Sequence, residues 1–124
     1  MQTAKQQRDN TISAKELVLS FIEAMNDENF DKAKTYAADN MVFQGVLGTR
    51  NNAADYFKDM KKMKFKYAVQ KVFTDGNDVC LWYDISMGPG LAILSSGWYR
   101  IEDGKISSFK VIFDPRQVLE QSKK

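Results

Sequence analysis

The chain has 124 residues, 44% of them hydrophobic and 12% aromatic, with a formal net charge of +2. That length gives one domain able to bury roughly two-thirds of its extended surface, so disorder is not the default. The charge excess is too small to imply nucleic acid unless the cations cluster.

Residues 1–12 are polar and aperiodic, read as a loose tail without the hydrophobic core of a signal peptide. No later apolar run approaches membrane-spanning length, so a cytoplasmic protein that does not engage a membrane is expected. Ser13-Ala14-Lys15-Glu16 is a capping box, in which each residue of the pair satisfies a backbone amide of the other. The helix it opens carries Leu17, Val18, Phe21, Ile22 and Met25 on one stripe. Asn26-Asp27-Glu28-Asn29 breaks it. A second helix is expected from Asn29 to Asn40, with Phe30, Ala33, Tyr36 and Ala37 inward, followed by a short strand from Met41 to Gln44. Gly48 and the polar run Thr49–Asn52 lead into a third helix, Ala53 to Met63.

From there the period falls to two. Phe65–Phe73, Val79–Met87, Leu91–Ile101 and Ile106–Phe113 read as four long strands. Their turns are Asp75-Gly76-Asn77-Asp78, Gly88-Pro89-Gly90 and Asp103-Gly104. Helices followed by a meander argue an α+β domain, three N-terminal helices on one face of a strongly curved antiparallel sheet. It spans 13–119 as a single unit, with 120–124 as a polar tail.

The missing histidine and the lone Cys80 remove histidine-based nucleophilic and general-base chemistry, thiolate metal clusters and intrachain disulfides. No cofactor or metal is implied, and proton transfer falls to Asp, Glu, Lys or Tyr. Asp84, in LWYDIS, is the candidate catalytic residue. Across the Asp-Gly-Asn-Asp turn it is expected to share a face with Cys80, Trp82, Ser86, Phe65, Tyr67, Val69 and Phe73. Burial among such aromatics favours a neutral acid; the competing reading has Asp84 reaching water or pairing with Arg100. Asp114-Pro115-Arg116-Gln117 reads as a helix start, which makes Asp114 a cap. Asp55 and Asp59 share a helix face and read as solvated. The lysines of FKDMKKMKFK read as a solvated helix end running into an edge strand. Mid-strand Gly97 suggests a bulge or bend.

Val79–Ile85 is apolar on both faces. Two apolar faces need two covers, helices on one side and a second subunit on the other.

The stretches FIEAMNDENFDKAKTYAADNMVF, Gly48–Met60 and GWYRIEDGKISSFKVIFDP resemble the nuclear-transport-factor-2-like superfamily. That group includes ketosteroid isomerase, limonene epoxide hydrolase and the SnoaL-like polyketide cyclases. The resemblance implies a cystatin-like cone (an α+β barrel), an apolar cavity at its mouth, and homodimers paired through the outer sheet face. Tyr36, Phe43, Tyr56, Tyr67, Trp82 and Trp98 are the expected pocket residues. The isomerase's tyrosine donor maps to Phe21, its base to Gly45 beside Gln44, and its second acid near Gly97. The epoxide hydrolase's acid on the last strand maps to Val111. None of these side chains transfers a proton, so neither chemistry carries over. Three readings remain: a dimeric domain binding a small apolar or aromatic molecule, a cyclase or isomerase using Asp84, and a protein-association module. None involves nucleic acid.

Overall fold

The computed structural model describes residues 12–122, so the N-terminal tail up to residue 11 lies outside the described residues. Helix α1 (Ala14–Asn26) starts at the capping box: the Glu16 N–H donates to Ser13 Oγ at 3.1 Å and the Ser13 N–H to Glu16 Oε1 at 3.2 Å. Its apolar stripe is buried as the spacing requires.

Helix α2 (Phe30–Lys34) is shorter than its sequence pattern. The Tyr36 carbonyl accepts the Ile106 N–H at 2.8 Å and Ala37 pairs with Ile106. The segment is thereby taken into strand β1 (Ala37–Gly45) instead of continuing the helix. A strand partner satisfies backbone groups along its whole length, and that outweighs a local helical spacing.

Strand β2 (Thr49–Arg50) returns from β1, and Asn52 caps α3 (Ala53–Met63) by accepting the Asp55 N–H at 2.8 Å. Then follow β3 (Lys66–Asp75), β4 (Asp78–Ser86), β5 (Ala92–Glu102), β6 (Lys105–Ile112) and helix α4 (Arg116–Ser122). Residues 120–122, expected as tail, continue α4.

The sheet order is β2-β1-β6-β5-β4-β3. The four long strands form the expected antiparallel meander, but β1 lies parallel to β6, so the sheet is mixed. Parallel neighbours need a long connection, which α3 and the first three meander strands provide. The edges β2 and β3 do not meet, so the cone is an open curved sheet and not a closed barrel. Register shifts in the β1–β6, β3–β4 and β5–β6 pairs mark the irregularities that bend it.

The shift in β3, between Val69 and Lys71, changes which residues share a face. Past it, Phe73 lies opposite Cys80 as expected. Before it, Tyr67 lies opposite Ile85, and Ala68 opposite Asp84. One extra residue in the strand inverts the alternation, so Tyr67 shares the face of Tyr83 and Ile85 rather than that of Trp82 and Asp84.

Val79, Leu81, Tyr83 and Ile85 of β4, with Ile93, Ser95, Tyr99 and Ile101 of β5, form the buried inner face under the helices. Phe21 of α1 meets Phe57, Tyr99 and Phe109 edge-on, and Tyr99 stacks on Phe109 with centroids 4.7 Å apart.

Gly97 is not a bulge, since its pairing is continuous with Leu81 on one side and Val111 on the other. A Cβ built there would stand 2.8 Å from Tyr99 Cε1 and 3.1 Å from Tyr83 Cζ, and nearer still to the Tyr83 hydroxyl oxygen. Glycine is required because two tyrosines occupy the space above it.

Gly97→Ala is therefore expected to destabilise the fold by about 1–3 kcal/mol through overpacking. Urea denaturation of the two proteins measures this, and an unchanged midpoint would show that Tyr83 and Tyr99 rearrange freely.

Candidate functional site

The inner face of the sheet, the β1–β2 loop and helices α3 and α4 line an open cavity of about 340 Å³, at the small end of the roughly 300–1,000 Å³ found for small-molecule sites. Strand β1 contributes Phe43 and Gly45, and α3 contributes Tyr56, Met60 and Met63. The meander adds Tyr67, Tyr83, Ile85, Tyr99, Phe109 and Val111, while Val46, Leu47 and Val118 stand among the remaining lining residues.

Local structure fixes these rings. The Asn26 Nδ2 donates to the Tyr67 carbonyl at 2.9 Å, and the Tyr67 N–H donates to Asn26 Oδ1 at 2.7 Å. The end of α1 thus acts as a short substitute strand along β3, holding Tyr67 in register. Lys66 adds bonds from Nζ to the Asn26 carbonyl at 2.7 Å and to Glu28 at 2.8 Å. The lysine holds the Glu28 carboxyl below the usual carboxylate range.

The buried polar side-chain groups in the wall of the cavity are phenols. The hydroxyls of Tyr83 and Tyr99 are 2.7 Å apart and fully buried. The Tyr67 and Tyr83 rings lie 5.4 Å apart, and Tyr56 packs on Phe43 and Phe109 at 5.2 Å. Burial pushes the Tyr67 hydroxyl up to about 12. It raises Tyr56, Tyr83 and Tyr99 as well, because a phenolate would lose its water there. All four are neutral donors at physiological pH.

Among the described residues Asp59 is the one carboxylate lining the cavity, and the Arg50 Nε donates to its Oδ2 at 2.6 Å. Both side chains are partly exposed, so this pair sits at the rim and cancels its own charge. Asp59, expected on a solvated face, is instead half of this pair; Asp55 accepts from Asn52 at the helix cap. Among the described residues no cluster of three or more Cys, Asp or Glu side chains is placed to hold a metal ion.

Of the residues expected in a pocket, Phe43, Tyr56 and Tyr67 line the cavity. Tyr36, Trp82 and Trp98 do not. Tyr36 is in the link between α2 and β1, and the two tryptophans are exposed on the opposite face of the sheet. Trp98 donates from Nε1 to Asp78 and carries Lys110 over its ring at 5.2 Å. Asp84 is on that outer face too, beside exposed Leu94 in register, where it accepts from Gln70 Nε2 at 2.9 Å. It is neither buried in the cavity nor paired with Arg100, which binds Asp78 at 2.8 Å. Cys80 is also on this face, half-buried with its Sγ 3.5 Å from Ser96 Oγ. Asp114 acts at the start of α4, accepting the Arg116 N–H at 3.0 Å, and Arg116 holds its carboxyl down at about 2.

Tyr83 was not among the expected pocket residues. The signal lay in β4, where Val79, Leu81, Tyr83 and Ile85 are all apolar, whereas Cys80, Trp82, Asp84 and Ser86 include a charge and a hydroxyl. The set without a charge is the one a core accepts.

The model of the SnoaL-like domain matches residues 18–109. The chain belongs to this family. A solved NTF2-like protein of unknown function from Cytophaga hutchinsonii is 49% identical to the SnoaL-like domain described here, covering 89% of this chain and 97% of that one with a TM-score of 0.85. An LEH-like epoxide hydrolase from M. tuberculosis is 20% identical over 86% of each chain, with a TM-score of 0.75. A de novo designed protein with a curved β-sheet is 17% identical, covering 87% of this chain and 92% of that one, with a TM-score of 0.73. The last two are similar in fold alone. No curated protein matches the chain. Gly45 and Val111 line the cavity, and Phe21 is core packing. Among the described residues no helix is long and apolar enough to cross a membrane.

The raised phenols set an alkaline limit. A tyrosine whose folded pKa exceeds its unfolded value near 10 contributes stability that is complete below that value and is lost as pH rises through the folded one. Stability is expected to hold up to about pH 10 and to fall between there and about pH 12 as the unfolded chain ionises first. Phenolate absorbance followed alongside circular dichroism should show the late-titrating tyrosines ionising together with unfolding. Their ionisation in the still-folded protein near pH 10 would contradict the buried placement.

Proposed function

We propose that this SnoaL-like domain binds a small apolar or aromatic molecule in its tyrosine-lined cavity and works as a homodimer paired through the outer face of the sheet. The observation that carries the ligand reading is the cavity itself: about 340 Å³, walled mostly by aromatic and aliphatic side chains. An unfilled apolar space costs dispersion contacts that a guest restores. Pairing is supported by Phe73, Trp82, Leu94, Trp98 and Ile112, each between 44% and 64% exposed on the outer sheet face. Such a patch stays in water only at a cost that a second apolar surface removes.

An Asp84-based cyclase or isomerase reaction in the cavity has no support in this geometry, because that carboxylate is on the other face of the sheet. Chemistry in the cavity would fall to the tyrosines and to Asp59 at the rim.

Naphthalene, titrated against the protein and followed by calorimetry, is expected to bind, and the cavity-filling variant Val111→Phe to bind it at least about tenfold more weakly. Equal binding by the two proteins, or none to the wild type, removes the ligand reading. Sedimentation of the wild type should give a dimer and of Trp82→Glu a monomer. A wild type that is monomeric at all concentrations, or that forms only mixed complexes with another protein, removes the homodimer.

A further inference from the structure

We propose that the groove between α2 and α3 docks an acidic peptide segment of another protein, one that presents an apolar side chain flanked by carboxylates. The groove is separate from the cavity. Helix α3 turns Tyr56, Met60 and Met63 to the cavity and a different stripe, Ala54, Phe57, Lys58 and Lys61, to the groove.

The groove has a volume of about 370 Å³. Phe30 of α2 and Ala54 and Phe57 of α3 supply its apolar part, while Lys34 enters from α2 and Lys58, Lys61 and Lys62 from α3. Among the described residues Asp31 is the one carboxylate in this lining. Four lysines against one aspartate make the groove more positive than the whole chain, whose formal net charge is +2. The run FKDMKKMKFK divides accordingly. Lys64 and Lys66 are paired with Glu28. Lys34, Lys58, Lys61 and Lys62 form no ion pair among the described residues. The aspartates of α3 do not neutralise them, since Asp55 is held at the cap with Asn52 and Asp59 is held by Arg50. Lys58 and Lys62 stand four apart on one helix, a placement of like charges that costs stability until an anion sits between them.

Charge sets the sign of the partner, and the kind of cation sets its class. The ends of this chain do not fit: residues 1–11 carry Lys5 and Arg8 against Asp9, and residues 123–124 are both lysine. A lone phosphate is held best by an arginine fork or the amide end of a helix. The groove lining has no arginine, and Lys34, Lys61 and Lys62 stand in the last turns of their helices, where the dipole is negative. Single-stranded nucleic acid needs aromatic faces to stack on, and Phe57 is buried. Lysines on both walls of an apolar floor suit carboxylates spaced along a peptide, with a side chain such as leucine seated between them.

The probe is a capped peptide with one leucine between two short runs of glutamate, titrated by calorimetry against the full chain at low salt. It is expected to bind, and to bind at least threefold more weakly when salt is raised from about 0.02 M to about 0.3 M. Glutamine in place of its glutamates should abolish binding, and serine in place of its leucine should weaken it about threefold or more. Lys58→Glu combined with Lys61→Glu should weaken it about tenfold or more, and Lys34→Glu about threefold. Lys15→Glu alters the net charge as Lys34→Glu does but lies outside the groove lining, so it should bind as the wild type does. All four lysines are exposed, so these variants should keep the fold, as circular dichroism would check. Should one fail to fold, the peptide series on the wild type still decides.

No binding of the glutamate peptide at low salt overturns the proposal, and so does equal binding of the glutamine peptide. Equal binding of the serine peptide overturns the apolar anchor. Equal weakening by Lys15→Glu and Lys34→Glu makes the effect one of net charge and overturns the groove. Tripolyphosphate or an oligothymidylate binding tighter than the peptide overturns the choice of partner. Failure of naphthalene to bind the cavity leaves this proposal standing, and failure of the peptide leaves the cavity reading standing.

Discussion

Tyr83 reaches the interior over a position where β5 has no side chain. Gly97 leaves that volume empty, the Tyr83 hydroxyl fills it, and the same hydroxyl closes on that of Tyr99. Much of the candidate site follows from this contact. A larger residue at 97 would push Tyr83 toward the helices, into the room that is now a cavity. A smaller residue at 83 would leave the Tyr99 hydroxyl buried without its partner, which is costly in a low-dielectric interior. The hydrogen bond between two phenols thus reconciles polar atoms with a core otherwise built from Phe, Met, Ile and Val.

That arrangement also sets the electrostatic character of the cavity. A hollow lined by neutral donors, with its one carboxylate matched at the rim by an arginine, has no built-in charge to steer or hold an ion. The helical layer serves the same end. Asn26 binds both backbone groups of Tyr67, so α1 both covers the sheet and fixes the register of the strand that places a third phenol.

The opposite face of the sheet obeys a different constraint. Strand alternation that sends Leu81, Tyr83 and Ile85 inward sends Trp82 and Asp84 outward, and on β5 it does the same to Leu94 and Trp98. Carboxylates with polar partners, Asp84 with Gln70 and Asp78 with Trp98 and Arg100, are what an exposed face tolerates better than a sealed core does. The aromatic density of LWYDIS thus divides between the two faces of the sheet, and Asp84 belongs with the tryptophans.

Local pattern was enough for much of the architecture. The capping box before α1, the turn residues between the four meander strands, the cap at Asp114 and the change of period after α3 each rest on neighbours within a few residues, and each is present in the structure. The sequence alone therefore determined an α+β domain with its helices ahead of its meander, and excluded histidine and disulfide chemistry. Tertiary structure decided what depends on partners far along the chain. Pairing with β6 took Tyr36–Ala37 out of a helix. One extra residue near Gln70 turned Tyr67 to the face opposite Trp82, and a distant tyrosine explained Gly97. Which face of a two-sided apolar strand meets the helices is a matter of register and bulge, and a single-residue shift reverses it without altering the composition of the strand.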